Sequence, residues 1–326
     1  MLFDCRFAAV LCLVSSAVYS NPETCAYIPD ADARLNCFDS YFEPAQLPDI
    51  DLEPESELFF EDVAQRSLIE ARLEQEEVLT DQWFSITPHK PNYILPVSYN
   101  ARADYSDFGA FGESFSEYEI KMQLSLKTRL ARGLWRGSSV WAAYTQQSYW
   151  QLYAEDDASA PFRETNHQPE VFWQIPVDFN VLGWNARFAA LALNHQSNGR
   201  SEPLSRSWNR VTAELALDRG AWVFEAKTWA RISEPEESDD NPNIEDYMGR
   251  LQIGLAHKRE RHTFAAVLKN NLSSPNRSGL ELNYTFPLFR RLKGFVQVYS
   301  GYGENLIDME NYSNRIGVGI ALTDWL

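Results

Sequence analysis

The 326-residue chain has no long apolar run beyond its first 20 residues. No later stretch reaches the roughly 18 apolar residues that a transmembrane helix requires. Any membrane-spanning part must therefore consist of strands, because only helices and closed barrels satisfy all their backbone hydrogen bonds in lipid. The mean hydropathy of -0.39 does not argue against such a barrel, since its strands alternate apolar and polar residues.

Basic residues are scarce, and one common hydrolase motif is missing. Acidic residues outnumber basic ones by 46 to 29, and the formal net charge of -17 disfavours nucleic acid as a partner. No G-x-S-x-G segment occurs, although a soluble secreted lipase would normally carry this nucleophile elbow. A hydrolase built from this sequence must therefore present its nucleophile in another way.

The first 20 residues are typical of a signal peptide. An apolar run, Phe7 to Val14, precedes small residues that end at Ser20. Cleavage there removes two of the four cysteines and leaves Cys25 and Cys37. In an exported chain such a pair is more often a disulfide than a metal site, so we expect a disulfide.

Residues 21–82 differ in composition from the rest of the chain. They are acidic and include a helix-permissive stretch, Glu57 to Glu77, with apolar residues at helical spacing. We interpret this region as a periplasmic extension or a solvated helix. The alternative is a binding role, and the sequence indicates no specific function. The predicted domains are a signal peptide over residues 1–20, this extension over residues 21–82 and a barrel over residues 83–326.

Twelve segments from about Tyr93 onward have strand character. In the clearest, Glu119 to Leu130, apolar residues alternate with charged or polar ones. A membrane barrel turns the apolar face to lipid and fills its lumen with the polar face. Charges of both signs on these polar faces predict a plugged lumen. We therefore predict an all-β fold, a twelve-stranded antiparallel transmembrane β-barrel with an N-terminal periplasmic extension.

Connection lengths predict an orientation in the bacterial outer membrane. Outer-membrane barrels have short periplasmic turns and longer extracellular loops. The short connections are predicted at residues 131–136, 180–183, 218–220 and 259–261, and the longer ones at Tyr153 to Pro169, Asn198 to Arg206 and Ser233 to Asp246. The loop that follows Ser197 is then extracellular.

The segment Leu191 to Arg210 brings together three residue types of a serine hydrolase. His195 and Ser197 share one face of a strand, and a hairpin centred near Glu202 would set His195 opposite Asn209. A serine hydroxyl needs a base such as His195, and Asn209 would orient that base. The apolar residues on the same face predict that the site faces outward, near the upper membrane boundary. His-x-Ser alone is a weak signal, and solvated strand ends are the alternative.

The same segment is similar to the outer-membrane phospholipase A family of Gram-negative bacteria. The resemblance implies calcium-dependent hydrolysis of phospholipid and lysophospholipid acyl esters by a phospholipase A1/A2, activated when it forms a homodimer. The alternative hypothesis is a non-catalytic porin-like or structural outer-membrane barrel. The similarity covers roughly Trp83 to Leu326 and rests on HxSNGR and SRSWNR within the segment and on PFRETN (161–166), YTQ (144–146), DDNP (239–242), YMG (247–249) and VYSGYGENLID (298–308).

The resemblance also implies an oxyanion donor and a calcium site. Gly199 would donate its backbone N–H to the oxyanion. Arg200 and Ser205 of one protomer and Ser159 of its partner would hold Ca²⁺, with Arg200 acting through its carbonyl because a guanidinium cannot bind a cation. Asp240 either supports a second calcium site or belongs to a solvated acidic loop. Gln146 likewise either joins the protomers or lines a strand face.

Overall fold

The computed structural model describes residues 22–41, 67–80, 85–154, 159–289 and 292–325. The predicted signal peptide lies outside these residues. The described residues up to 41 belong to one compact unit, and those from 67 onward belong to a second.

The first unit is a short turn joined to a helix. A 3-10 turn, Pro22–Tyr27, precedes helix α1, Ala31–Tyr41. Asp30 Oδ1 accepts a hydrogen bond from the backbone N–H of Ala33 at 2.9 Å and so caps the helix. A disulfide joins Cys25 to Cys37, which confirms the predicted pairing.

The second unit is a closed β-barrel. Strands β2 to β13 pair antiparallel with their neighbours in sequence, and β13 pairs with β2 to close a ring of twelve strands. Strand β1 adds a short pairing to β3. This confirms the predicted fold class. The strands are β1 (Ile86–Pro88), β2 (Asn92–Asn100), β3 (Tyr118–Ala131), β4 (Ser139–Trp150), β5 (Phe162–Val181), β6 (Trp184–Ser197), β7 (Ser207–Arg219), β8 (Trp222–Ile232), β9 (Leu251–Arg259), β10 (His262–Asn270), β11 (Ser278–Phe289), β12 (Leu292–Gly301) and β13 (Ser313–Thr323).

Helices are few among the described residues and form no part of the barrel wall. Helix α2 precedes the first strand, and α3 lies in the loop between β8 and β9. Within the described part of the chain, none of the helices combines the length and the apolar composition that a membrane crossing needs. The helical segments of this unit are α2 (Leu68–Leu79), α3 (Ile244–Met248) and the 3-10 segments Ser106–Ser114, Trp135–Gly137 and Glu236–Ser238.

The barrel is apolar outside and polar inside, as its strand pattern predicts. On β3, the side chains of Leu124 and Leu130 are 50% and 58% exposed, whereas Lys121 and Ser125 are fully buried. On β13, Ile316 and its outward neighbours are similarly exposed. A soluble fold would bury these leucines, so this arrangement is typical of a barrel whose outer wall meets lipid.

Charged pairs fill much of the lumen. Arg163 and Arg315 both bind the buried carboxylate of Glu119. Lys121 Nζ lies 3.0 Å from Glu304 Oε1, and both side chains are buried. Buried charges require such partners, because an unpaired one is strongly destabilising. A cavity of about 280 Å³ remains in the lumen, with Glu170, Arg210 and Lys227 among its lining residues. The plugged lumen stays a prediction.

Helix α2 packs against barrel residues instead of lying free in solvent. Ser67 caps it by accepting from the N–H of Glu70 at 3.0 Å. Ile69 and Glu76 are buried, and Lys127 Nζ lies 2.8 Å from Glu76 Oε2. The solvated helix suggested by the acidic composition is therefore not what forms, because its acidic side chains find basic partners on the barrel. The domain boundary between residues 82 and 83 stays a prediction.

The connections alternate between short and long, as predicted. The short ones span residues 132–138, 182–183, 220–221 and 260–261. The long loops include residues 198–206 and 233–250. The loop predicted over Tyr153 to Pro169 is shorter than expected, because β5 already begins at Phe162 and pairs with β4 from there.

Candidate active site

His195 and Asn209 form the centre of the candidate site. They are direct partners in the register of β6 and β7, as the sequence predicts. His195 Nδ1 and Asn209 Oδ1 are 2.9 Å apart, and both residues are partly buried. The hairpin thus holds an imidazole and an amide in hydrogen-bonding contact at the rim of the barrel.

Ser197 lies two residues after His195 and therefore on the same strand face. It pairs with His167 of β5 on one side and with Ser207 of β7 on the other. Among the described hydrogen bonds, none joins Ser197 to His195. Such contacts between nucleophile and base are often long before substrate binds and shorten in the complex.

His167 is a second imidazole at the site that the sequence did not single out. Its Cδ2 would lie 3.9 Å from a Cβ built on Gly199. Its Nδ1 lies 2.6 Å from the hydroxyl of Tyr144, which also donates to Gln146 Oε1 at 3.2 Å. Only the β5–β6 register brings His167 beside Ser197, so spacing along the chain could not reveal it.

A chain of polar side chains extends behind Asn209. The Nδ2 of Asn209 donates to Glu234 Oε1 at 2.9 Å. Arg231 Nη2 lies 3.9 Å from Glu234 Oε2 and 2.6 Å from Asp239 Oδ1. Burial alone would raise the pKa of Asp239, but hydrogen bonds from Arg231 and the N–H of Asn241 outweigh it and lower that pKa. The sequence interpretation missed Glu234, which lies 25 residues after Asn209.

Asn198 organises the loop that follows the nucleophile. Its Oδ1 accepts from the N–H groups of Arg200 at 3.3 Å and Arg206 at 3.0 Å, and its Nδ2 donates to Leu204 O at 2.8 Å. Gly199 has a φ of +65°, a left-handed conformation that costs glycine little. The loop therefore holds the backbone N–H of the predicted oxyanion donor next to Ser197.

The predicted calcium ligands come together in part. Ser205 Oγ donates to Asp240 Oδ2, which links loop 198–206 to loop 233–250. The carboxyl of Glu202 interacts with that of Asp240. This interaction raises the pKa of Glu202, with smaller contributions from burial and charge repulsion. The guanidinium of Arg200 donates to Phe162 O at 3.2 Å. The sequence singled out Asp240 but missed Glu202.

Ser159 is the remaining predicted ligand. It is exposed and has a φ of +52°, and no described hydrogen bond joins it to Arg200, Ser205 or Asp240. Across the described residues, His, Cys, Asp and Glu side chains form no group of three or more that could hold a metal ion. A cation here would depend on hydroxyl and carbonyl oxygens as well, which suit calcium.

Comparison with known proteins decides the family. The family profile described as Phospholipase A1 matches residues 69–322. The chain belongs to the phospholipase A1 family. It is 37% identical over 267 residues to phospholipase A1 of Escherichia coli K12, which covers 80% of this chain and 88% of that protein. The putative phospholipase A1 of Neisseria meningitidis is 35% identical over 251 residues, with 73% and 65% covered.

Solved structures agree with this assignment. Outer membrane phospholipase A from Escherichia coli superimposes with a TM-score of 0.70 at 35% identity, covering 76% of this chain and 95% of that one. The calcium-bound dimer of Salmonella typhi outer membrane phospholipase gives a TM-score of 0.71 at 35% identity, covering 76% and 96%. This phospholipase is thus an ester hydrolase of the outer membrane that acts on phospholipids. The porin-like alternative finds no support in these relatives.

Proposed function

We propose that this phospholipase cleaves acyl esters with a catalytic triad of Ser197, His195 and Asn209. The observation that carries the proposal is the 2.9 Å hydrogen bond between His195 Nδ1 and Asn209 Oδ1. An amide oxygen can only accept, so Nδ1 carries the hydrogen and Nε2 keeps its lone pair. Nε2 is then the atom that can take the hydroxyl proton of Ser197. A solved form of the Escherichia coli relative is described as an active-site mutant in which an asparagine is replaced by alanine.

The reaction follows from these roles. Ser197 Oγ attacks the ester carbonyl carbon while its proton moves to His195 Nε2. The tetrahedral intermediate expels the lysophospholipid alkoxide, which takes that proton from the imidazolium. Water then attacks the acyl-enzyme, gives its proton to His195 and releases the fatty acid with Ser197 restored. The backbone N–H of Gly199 would stabilise the oxyanion in both halves of the reaction.

Calcium is the cofactor that the oxygen-rich loops would accommodate. The carbonyl of Arg200 and the hydroxyl of Ser205 would bind it together with Ser159 of the partner protomer. Asp240 and Glu202 would support a second site, because their neighbouring carboxyl groups could share a divalent cation. Bound calcium would supply positive charge near the developing oxyanion.

A homodimer in the outer membrane is the form that we propose to be active. The outward face that carries the triad also exposes apolar side chains, with Leu193 exposed by 62% and Leu191 by 49%. A second barrel against this face would enclose an acyl-binding cleft and bring in the partner's Ser159. The Salmonella typhi relative is a dimer with bound calcium. The outer face of β4, with Gln146 and Tyr144, would lie in the same interface.

The membrane orientation is part of the same proposal. The triad lies at the end of the barrel that carries the long loops, which in outer-membrane barrels faces the cell exterior. Residues 21–82 would then lie in the periplasm after a signal peptide over residues 1–20 is removed.

A calcium-titrated hydrolysis assay tests the proposal. Purified protein in detergent should release fatty acid from phospholipid only when calcium is present, and a chelator should stop the reaction. Full activity in chelator would reject the calcium requirement but leave the triad untouched. No hydrolysis at any calcium concentration by the folded native barrel would reject the enzymatic function.

A further inference from the structure

We propose that Glu234 is a positioning residue for the base of this phospholipase, acting through the side-chain amide of Asn209. The proposal rests on the triad assigned above to Ser197, His195 and Asn209. It adds a charged fourth member to a triad whose third member is neutral.

The contact between Glu234 and Asn209 fixes which end of the amide faces His195. An asparagine side chain can present either its oxygen or its nitrogen to a neighbour, and an ionised carboxylate only accepts. The 2.9 Å contact from Asn209 Nδ2 to Glu234 Oε1 therefore selects the orientation that turns Oδ1 toward His195. The flipped amide would place two acceptors, Oδ1 and the carboxylate, against each other.

The orientation of the Asn209 amide determines which nitrogen of His195 carries the hydrogen. With Oδ1 of Asn209 as acceptor, His195 must carry its hydrogen on Nδ1 and leave Nε2 free to act as base. A flipped amide would offer an N–H to Nδ1 and favour the tautomer with hydrogen on Nε2, which cannot take a proton from Ser197. In serine proteases, an asparagine in this place causes a large loss of kcat through the wrong tautomer. An asparagine triad therefore needs a device such as Glu234.

Glu234 is itself held in place. Its side chain is 21% exposed and lies 3.9 Å from the guanidinium of Arg231. Arg231 is in turn fixed by Asp239 at 2.6 Å and by the carbonyl of Asn241 at 3.4 Å. Pro235 follows Glu234 and restricts its backbone to extended conformations. The carboxylate is therefore presented to Asn209 by a firmly anchored segment of the loop.

The charge of Glu234 also acts on the imidazolium that forms during the reaction. A hydrogen bond to a carboxylate polarises the Asn209 amide and makes its oxygen a stronger acceptor. The negative charge lies one residue behind the imidazole, so it favours the protonated form electrostatically. The positive charge of Arg231 weakens the effect of Glu234 on the imidazolium. Arg231 also pairs with Asp239, whose negative charge partly neutralises it.

The test replaces Glu234 by glutamine and compares kinetics with those of a matched control. Glu234→Gln keeps the size of the side chain but can donate as well as accept, so it no longer selects one amide orientation. We expect kcat to fall by about tenfold with KM unchanged, as for other residues that orient a catalytic group. Glu237→Gln, on the same loop and with the same charge change, should leave both unchanged.

A double variant separates positioning from a structural effect. If Glu234 acts through Asn209, then Glu234→Gln should cause no further loss of kcat in an Asn209→Ala background. An equal loss in both backgrounds, or a native kcat in Glu234→Gln, would overturn the proposal. Neither result would reject the triad assignment. That assignment is rejected by a different outcome, hydrolysis by a folded Ser197→Ala variant.

Discussion

His195 on β6 and Asn209 on β7 are register partners joined by a 2.9 Å hydrogen bond, at a point where both strands leave the apolar barrel wall. If His195 is the base and Asn209 only orients it, substitution of His195 should lower kcat more than substitution of Asn209. His195→Gln should lower kcat by at least about a thousandfold, as losses of triad bases do. Asn209→Ala should lower it by about tenfold to a hundredfold, the range for orienting partners. Fatty-acid release from a phospholipid substrate measures both.

The neighbouring imidazole supplies the matched control for this comparison. His167→Gln makes the same chemical change at the residue opposite Ser197 on β5. It should keep most of the native kcat. A loss as large as that of His195→Gln would show that the base has been assigned to the wrong histidine.

Calcium dependence and association should rise together. Cross-linking and hydrolysis, followed in parallel over one calcium titration, should share a midpoint because the proposed site needs oxygens from two protomers. Ser205→Ala should shift both midpoints to higher calcium by about tenfold. A chelator-treated monomer with full activity would contradict the shared site.

Calcium binding should weaken as the pH falls. The pKa of Glu202 is raised, chiefly by its interaction with the Asp240 carboxyl, so a proton competes with a cation for this pair at higher pH than at an isolated glutamate. Calcium must displace that proton, and its apparent affinity should therefore decrease as the pH drops through the raised pKa. Isothermal titration between about pH 5 and about pH 8 should show this trend, and Glu202→Gln should flatten it. An affinity independent of pH in the native protein would contradict the pairing of the two carboxyl groups.

The buried pair between α2 and the barrel should contribute to stability only as a pair. Lys127→Ala leaves the buried Glu76 with only the partly exposed Arg72 as a partner and should cost up to about 3–5 kcal/mol of unfolding free energy. Adding Glu76→Ala to that variant should recover part of the loss, because the buried carboxylate is then removed as well. Unfolding in urea, followed by the shift in electrophoretic mobility of the barrel, gives both values. Equal stability of the native protein and Lys127→Ala would mean that α2 does not dock as described.

Local pattern was sufficient to predict the strands and the hairpin. On β3 the alternation from Glu119 to Leu130 predicts both the strand and its inside-out faces, because side chains alternate strictly in a strand. The opposition of His195 and Asn209 follows from hairpin symmetry about the loop 198–206. Both features depend on residues close together in the chain.

Contacts between distant segments could not be predicted in this way. His167 reaches Ser197 only through the register of β5 and β6, and Glu234 reaches Asn209 from the loop after β8. Helix α2 looks solvated in sequence, since Glu76 has Arg72 four residues before it, and its burial against Lys127 on a distant strand becomes visible only in the fold. Such charge pairings carry no periodic signal.

The most direct test of the account is the hydrolytic rate of Ser197→Ala. The variant should fold as a native barrel, since an isolated hydroxyl at the rim contributes little to stability, and this can be checked by its mobility and circular dichroism. With saturating calcium and phospholipid, we predict a loss of at least about a thousandfold in kcat. A folded Ser197→Ala barrel that hydrolyses phospholipid at the native rate would contradict the assignment of Ser197 as the nucleophile.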